Sequence, residues 1–152
     1  MRIMRPSHQR PHSTSSTLIQ ETPLLIRALL VAAVLAVAVA GCGSRPVMNV
    51  TAEPVVVTPG KTATNDNVRD AILRAGATLG WQMRPAAPGV INGSINLRGH
   101  SANIDVEYTT RSYNIVYRSS SGLDAQNGQI HKNYNGWIEN LNNGIRRELQ
   151  RI

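Results

Sequence analysis

The strictest constraint on the fold is an alternation of apolar and polar side chains with period two between residues 91 and 117. The apolar positions form three runs separated by polar turns: Ile91, Ile95, Leu97; Ala102, Ile104, Val106, Tyr108; and Tyr113, Ile115, Tyr117. The intervening polar positions are Asn92, Ser94, Asn96, Arg98, Asn103, Asp105 and Glu107. The pattern predicts antiparallel strands with one dry face and one wet face, and the dry face needs a cover.

Two polar segments, residues 98–101 and 110–112, predict the turns between these strands. Asn92-Gly93 is a dipeptide that also favours a tight hairpin turn. Between these alternatives we interpret it as a bulge within a strand.

Both flanks of the strand region predict helices. On the N-terminal flank, residues 64–67 supply capping side chains, an apolar stripe follows to Leu79, and Gly80 is placed to end the helix. Trp81 begins the next element, and residues 85–89 predict a turn. On the C-terminal flank one helical stripe collects Ile130, Tyr134, Trp137, Ile138, Leu141, Ile145, Leu149 and Ile152.

The C-terminal helix contains Gly136 and Gly144, each of which costs up to ~1 kcal/mol relative to alanine. Close packing of this helix on the sheet is the reason we expect for them. The predicted fold is α+β, a two-layer domain over residues 62–152 with a helix, three or four antiparallel strands and a C-terminal helix.

The N-terminal segment has the three-part form of an export signal. Arg27 closes a basic lead, and residues 28–40 are uniformly apolar. As a helix these thirteen residues would rise only about 20 Å, short of the ~30 Å hydrocarbon core. A cleaved signal peptide over residues 1–41 is therefore favoured over a permanent spanning helix.

The tetrapeptide Val39-Ala40-Gly41-Cys42 resembles the bacterial lipobox. The resemblance implies diacylglycerol on the thiol of Cys42, cleavage before it, and acylation of the new amino group, with palmitate an expected acid. Gly43 rather than Asp after the cysteine resembles the pattern sent to the outer membrane, where the protein would face the periplasm. The alternative is a plain cysteine behind an uncleaved anchor. Cys42 is the only cysteine, so acylation excludes disulfides and thiolate sites.

Residues 42–61 contain three prolines and few large apolar side chains. This composition predicts an extended tether between the lipid and the domain, with residues 55–57 as a candidate for a short edge strand.

Four arginines and one glutamate precede Cys42, so this short segment carries +3 of the formal charge of +7. After Cys42 there are 12 Lys/Arg and 8 Asp/Glu, a mild excess that is ordinary for a soluble domain. An exported protein of this charge is not expected to bind nucleic acid. The basic cluster Arg146, Arg147 and Arg151 fits compensation of a helix dipole better than lipid or phosphate binding.

Catalytic and metal-binding patterns are sparse. Only His100 and His131 follow the signal, so we predict a turn or surface role for the first, a capping role for the second, and neither metal nor cofactor. Asp105 and Glu107 share a strand face at a spacing allowed for paired carboxylates, but solvated acids are the commoner reason. A small lipid-anchored hydrolase using either histidine with nearby acids is the enzymatic alternative.

Two sets of side chains are candidates for binding. The aromatic set comprises Trp81, Tyr108, Tyr113 and Tyr117 and either belongs to the core or lines a groove for a peptide or glycan. The second set is the polar strand face with Asn92, Asn96, Asn103, Asp105 and Asn114.

The stretches YNIVYRSSSGL and IHKNYNGWIENLNNGI make the region from about residue 68 to 149 resemble a group of small uncharacterised bacterial envelope lipoproteins. That resemblance implies the class of protein and no mechanism. The expected role is a lipid-anchored, non-enzymatic binding or assembly module. Its expected contacts are the membrane, through Cys42, and an envelope protein or peptidoglycan.

Overall fold

The computed structural model describes residues 43–152. The predicted signal peptide over residues 1–41 and the predicted acylation site Cys42 lie outside the described residues. Within residues 43–152 no helix has the length and hydropathy needed to cross a membrane. The elements in chain order are β1 (Ser44–Pro46), β2 (Val50–Pro54), α1 (Asn65–Thr78), β3 (Gln82–Ala87), β4 (Val90–Leu97), β5 (His100–Tyr108), β6 (Ser112–Ser121), β7 (Gln129–His131) and α2 (Lys132–Leu149).

The main sheet has five antiparallel strands in the order β2-β6-β5-β4-β3, and β1 pairs with β7 in a separate two-stranded sheet. The β4–β5 hairpin is the most regular part, with continuous pairing from Val90↔Glu107 to Leu97↔His100. Its turn residues Arg98 and Gly99 have φ values of 51° and 81°. Two successive positive φ angles match the twist of the flanking strands. The turn predicted over residues 98–101 is therefore confirmed at Arg98 and Gly99, whereas His100 and Ser101 already belong to β5.

The pair Asn92-Gly93 lies inside β4, as the strand interpretation predicted. The predicted bulge is wrong, because both residues pair in register with Asp105 and Ile104 of β5. Glycine is required here for packing. A Cβ at Gly93 would lie 2.9 Å from both Ile104 Cγ1 and Met83 Sδ.

Helix α1 begins and ends as its sequence predicts. The Thr64 hydroxyl accepts a hydrogen bond from the Asn67 amide at 3.2 Å, and Gly80 has a φ of 81° just after the helix. Its buried side chains Val68, Ala71, Ile72 and Ala75 form the predicted stripe. These residues cover the dry face of the sheet together with α2.

Helix α2 buries most of the predicted stripe, namely Tyr134, Ile138, Leu141, Ile145 and Leu149, whereas Ile130, expected on the same helix, lies in β7. The explanation expected for its glycines needs correction. A Cβ at Gly144 would lie 3.2 Å from Leu79 Cδ1 and 3.5 Å from Ala75 Cβ, so this glycine admits α1 rather than the sheet. No atom of the described residues lies within 4 Å of a Cβ built at Gly136, so packing among them does not require that glycine.

The predicted tether is also corrected, since Ser44–Pro46 and Val50–Pro54 form strands. Arg45 pairs with Ile130, and Val50 pairs with Ile115 and is buried. Prolines 46 and 54 occupy the ends of their strands, where a missing amide donor costs little. The short edge strand expected at residues 55–57 lies instead at residues 50–54, because the apolar contact that fixes it comes from Val50.

The segment expected to turn at residues 85–89 contains the end of an additional edge strand, β3. β3 extends to Ala87, and only Pro88 and Gly89 form the turn. Pro85 is tolerated because β3 is at the edge of the sheet, where one side of the strand has no partner. The chain therefore forms the predicted α+β fold, with five rather than three or four strands in the main sheet.

Candidate functional site

The outer surface of the main sheet, which we call the polar face, carries hydrogen-bonding side chains on four neighbouring strands. They alternate with inward residues such as Ile91, Val106 and Ile115, which are fully buried. Register brings Asn92 opposite Asp105 and Ser94 opposite Asn103. The polar face comprises Gln82, Arg84, Asn92, Ser94, Asn96, Ser101, Asn103, Asp105, Glu107, Asn114 and Arg118.

Asp105 is the centre of this surface and is only 9% exposed. Asn92 Nδ2 donates to its Oδ1 at 2.7 Å from β4. Arg118 Nε donates to its Oδ2 at 2.6 Å from β6, and the same guanidinium forms an ion pair with it. A nearly buried carboxylate needs such partners to offset its lost hydration. The three side chains are therefore held in place before any ligand arrives.

A register shift in the β5–β6 pairing aims Arg118 at Asp105. Asn103 pairs with Ser119 while the adjacent Ile104 pairs with Tyr117, so Arg118 is the extra residue of a bulge. Asn103 Nδ2 donates to Ser119 Oγ at 2.9 Å on the same surface. Bulges re-aim side chains in this way and are enriched beside functional sites.

A shallow concavity of about 440 Å³ lies over this network. Its charged wall on the β3 side is Arg84, which is exposed and has no carboxylate within ion-pair distance among residues 43–152. The concavity is lined by Gln82, Arg84, Asn92, Gly93, Ser94, Asn103, Ile104, Asp105 and Arg118. Amides, a hydroxyl and guanidinium groups suit a polar ligand with carbonyl, hydroxyl or carboxylate oxygens.

Half of the predicted aromatic set lies in the core. Trp81 is 4% exposed and Tyr113 is 1% exposed, so neither offers a ring to a ligand. The Tyr113 hydroxyl donates to Asn142 Oδ1 at 2.6 Å, and burial raises the pKa of this phenol well above its usual range, with a further contribution from Glu53. These two residues therefore belong to the core, which is one of the two interpretations of the aromatic set.

The other two aromatic residues are half-buried against the same core. Tyr117 meets the ring of Tyr134 edge-on with centroids 5.2 Å apart, and its hydroxyl lies 2.8 Å from Ser120 Oγ. Tyr108 packs at the far end of β5. The aromatic set therefore does not assemble into one groove.

Tyr134 is fully buried, and its hydroxyl has no hydrogen-bond partner among the described residues. Burial raises the pKa of this phenol well above its usual range, with Tyr117 adding to the effect. An unpaired buried hydroxyl lowers stability relative to an apolar group of the same shape.

The two histidines, distant in sequence, come together in the fold with ring centroids 6.2 Å apart. His131 caps α2 as predicted, accepting a hydrogen bond at Nδ1 from the Asn133 amide at 3.2 Å. His100 begins β5 directly after the turn, and its Nδ1 lies 3.1 Å from the Arg98 carbonyl oxygen. Within residues 43–152 no three His, Cys, Asp or Glu side chains cluster as metal ligands would.

Sequence reasoning did not select the two arginines of the polar face, Arg84 and Arg118. The alternation that put Tyr113, Ile115 and Tyr117 inward already indicates that Arg118 points outward. Its pairing with Asp105 depends on the register of β5 and β6, which the period alone does not determine.

Comparison of the chain with protein-family models, with curated proteins and with solved structures gave no significant match. The basis for a functional proposal is therefore the chemistry of its own residues.

Proposed function

We propose that the protein is a lipid-anchored, non-enzymatic binding or assembly module of the bacterial cell envelope, attached through Cys42 and binding its partner with the polar face. The observation that carries the proposal is the polar face, which no element of residues 43–152 covers, with its pre-organised Asn92–Asp105–Arg118 network. Pre-organised groups lose little conformational freedom on binding, which favours affinity.

The chemistry of this face favours a polar partner. Both helices cover the opposite side of the sheet, and the concavity presents amide and guanidinium groups without an aromatic ring. Peptidoglycan, rich in hydroxyl, acetamido and carboxylate groups, fits this surface. A polar patch on another envelope protein has the same hydrogen-bonding chemistry.

The membrane attachment is supported by the sequence around Cys42. Two or three acyl chains anchor a protein stably, whereas one chain binds marginally. The described fold begins at Gly43, whose carbonyl accepts a hydrogen bond from the Lys132 amide at 2.8 Å. The proposed anchor is thus bonded directly to a residue of the folded domain.

Site-specific photo-crosslinking in cells tests the proposal. A photoreactive amino acid replaces Asn103 on the polar face or, as a matched control, Asn140, an exposed asparagine on α2. We expect one reproducible envelope partner from position 103 and none from position 140. Equal capture from both positions would contradict a role for the polar face.

Co-sedimentation with purified cell-wall sacculi in detergent distinguishes the two partner classes. Binding to sacculi that falls in an Arg118→Ala variant identifies peptidoglycan as the ligand. No sedimentation, together with a protein crosslink at position 103, identifies a protein partner. Neither binding to sacculi nor a crosslink would reject the proposed function.

A further inference from the structure

Given the proposed acylation of Cys42, no flexible linker separates the lipid anchor from the folded domain. Cys42 is bonded directly to Gly43, and consecutive Cα atoms are 3.8 Å apart. Gly43 is held by its hydrogen bond from Lys132, and Ser44 already pairs with His131. The part of the domain around Gly43 must therefore face the bilayer closely.

Three segments meet at this part of the domain, which we call the anchor end: residues 43–46, 97–100 and 122–132. β1 pairs with β7 across the first and third segments. The rings of His100 and His131 lie 6.2 Å apart, which joins the second to the third. A Cβ at Gly122 would approach the Gly99 carbonyl oxygen to 2.8 Å, a second contact between them.

The anchor end combines positive charge with an exposed apolar side chain. Arg45, Arg98 and Lys132 are exposed and have no ion-pair partner within residues 43–152, and Asp124 is the single acid of the three segments. Leu97, at the tip of the β4–β5 hairpin, is 43% exposed. Basic residues around an apolar one are typical of surfaces that sit in a membrane interface.

Lys132 places a positive charge at the N-terminus of a helix, where negative charge is favoured. It is the first residue of α2, whose first turn contains no acid, so its charge adds to the positive end of the helix dipole. An anionic surface next to this end relieves that repulsion.

We propose that the anchor end rests on the anionic phospholipid surface of the membrane, with Arg45, Arg98 and Lys132 against headgroup phosphates and Leu97 in the interface. Near such a surface each basic residue strengthens binding by about fivefold. The contact fixes one orientation of the domain. Helix α2 rises about 27 Å from Lys132, and the polar face lies on the side of the sheet opposite to the helices.

The only cysteine is the proposed acylation site, so an added cysteine gives a unique label in the mature full-length protein. A fluorophore is attached in a Leu97→Cys variant or, as control, in a Val56→Cys variant. Val56 is the other exposed large apolar residue of the described chain, at 56%, and it follows β2 at the opposite end. The acylated proteins are reconstituted in phosphatidylcholine vesicles with or without phosphatidylglycerol, and nitroxide-headgroup lipids quench the label.

We expect severalfold stronger quenching at position 97 than at position 56, and only in vesicles that contain phosphatidylglycerol. Adding Arg98→Glu and Lys132→Glu lowers the ratio of docked to undocked domains by at least about fivefold for each charge. Arg111→Glu, an exposed arginine in the β5–β6 turn, is the control and leaves the ratio unchanged. Glutamate at position 132 suits the helix N-terminus, so unfolding does not explain a loss of quenching.

Equal quenching at both positions, or quenching that does not depend on phosphatidylglycerol, would overturn the inference. The mass of the N-terminal peptide separates this failure from that of the proposed anchor. An acylated protein whose Leu97→Cys label stays unquenched rejects the membrane contact alone. A peptide without acyl mass rejects the anchor and the contact together.

Discussion

Arg118 donates from Nε to Asp105 Oδ2 at 2.6 Å, and the two residues come from neighbouring strands whose register shifts at that point. The bulge thus supplies a cation to the most buried acid of the described chain. The pair joins β5 to β6 and also forms one side of the concavity. Stability and binding are therefore coupled at this position.

Replacing Arg118 by alanine removes the cation and leaves Asp105 with Asn92 as its remaining side-chain partner. Because the guanidinium is half-exposed, we expect a loss of about 1–2 kcal/mol in the free energy of unfolding. Urea denaturation measures it. Arg84→Ala, on the same face without an ion pair, is the control and stays within about 0.5 kcal/mol of wild type. Equal effects of the two variants would contradict the structural role of the pair.

Two buried tyrosines differ in whether their hydroxyl is paired, and phenylalanine at each position separates the cases. Tyr113→Phe removes the hydrogen bond to Asn142 and lowers stability by about 1 kcal/mol. Tyr134→Phe removes an unpaired buried hydroxyl, so stability stays level or rises by up to about 1 kcal/mol. Thermal denaturation of both variants checks the order. A greater loss at position 134 would mean that its hydroxyl has a partner.

The same phenols predict alkaline destabilisation. Burial raises the pKa of both Tyr113 and Tyr134, so in the folded state they keep their protons where unfolded tyrosine, with a pKa of about 10, ionises. Above that pH the unfolded state binds fewer protons and is favoured. Stability is complete below about pH 10 and falls by up to about 1.4 kcal/mol per pH unit for each group above it.

Urea denaturation at a series of alkaline pH values measures this fall. The double variant Tyr113→Phe/Tyr134→Phe is the control, and its stability depends less steeply on pH. An unchanged slope in that variant would attribute the alkaline loss to other groups.

The two glycines of α2 allow the effect of helix propensity on stability to be separated from the effect of packing. Gly136→Ala enters open space and stabilises the protein by about 1 kcal/mol. Gly144→Ala has the same intrinsic gain but places a methyl group 3.2 Å from Leu79 Cδ1, so its net effect is smaller or of opposite sign. Denaturation midpoints rank the variants, and a more stabilising Gly144→Ala would refute close helix contact at that residue.

Membrane attachment depends on Cys42 in this proposal. The Cys42→Ala variant loses the acyl mass of the N-terminal peptide and its firm partition into membranes, because the remaining contacts are weak without acyl chains. Fractionation and mass spectrometry measure both quantities. A variant that stays equally membrane-bound, with a free thiol in wild type, would identify an uncleaved anchor instead.

The candidate site shows which structural features can be predicted from the sequence. Alternation alone predicts one polar face that contains Asn92, Asn96, Asn103, Asp105 and Asn114. Arg84 joined them only because residues 82–87 form an edge strand despite Pro85. The aromatic set was ambiguous because the burial of Trp81 and Tyr113 depends on how far the helices cover the sheet.

Local periodicity determined which residues face inward, because backbone geometry fixes side-chain direction at every second residue of a strand and every third or fourth of a helix. It therefore gave the α+β class, both helices, the β4–β5 hairpin and the cap at His131. Tertiary structure decided the rest. Ser44–Pro46 and Val50–Pro54 form strands because distant partners satisfy their backbone groups. Arg118 meets Asp105 because the β5–β6 register, set by packing across the whole sheet, requires a bulge there.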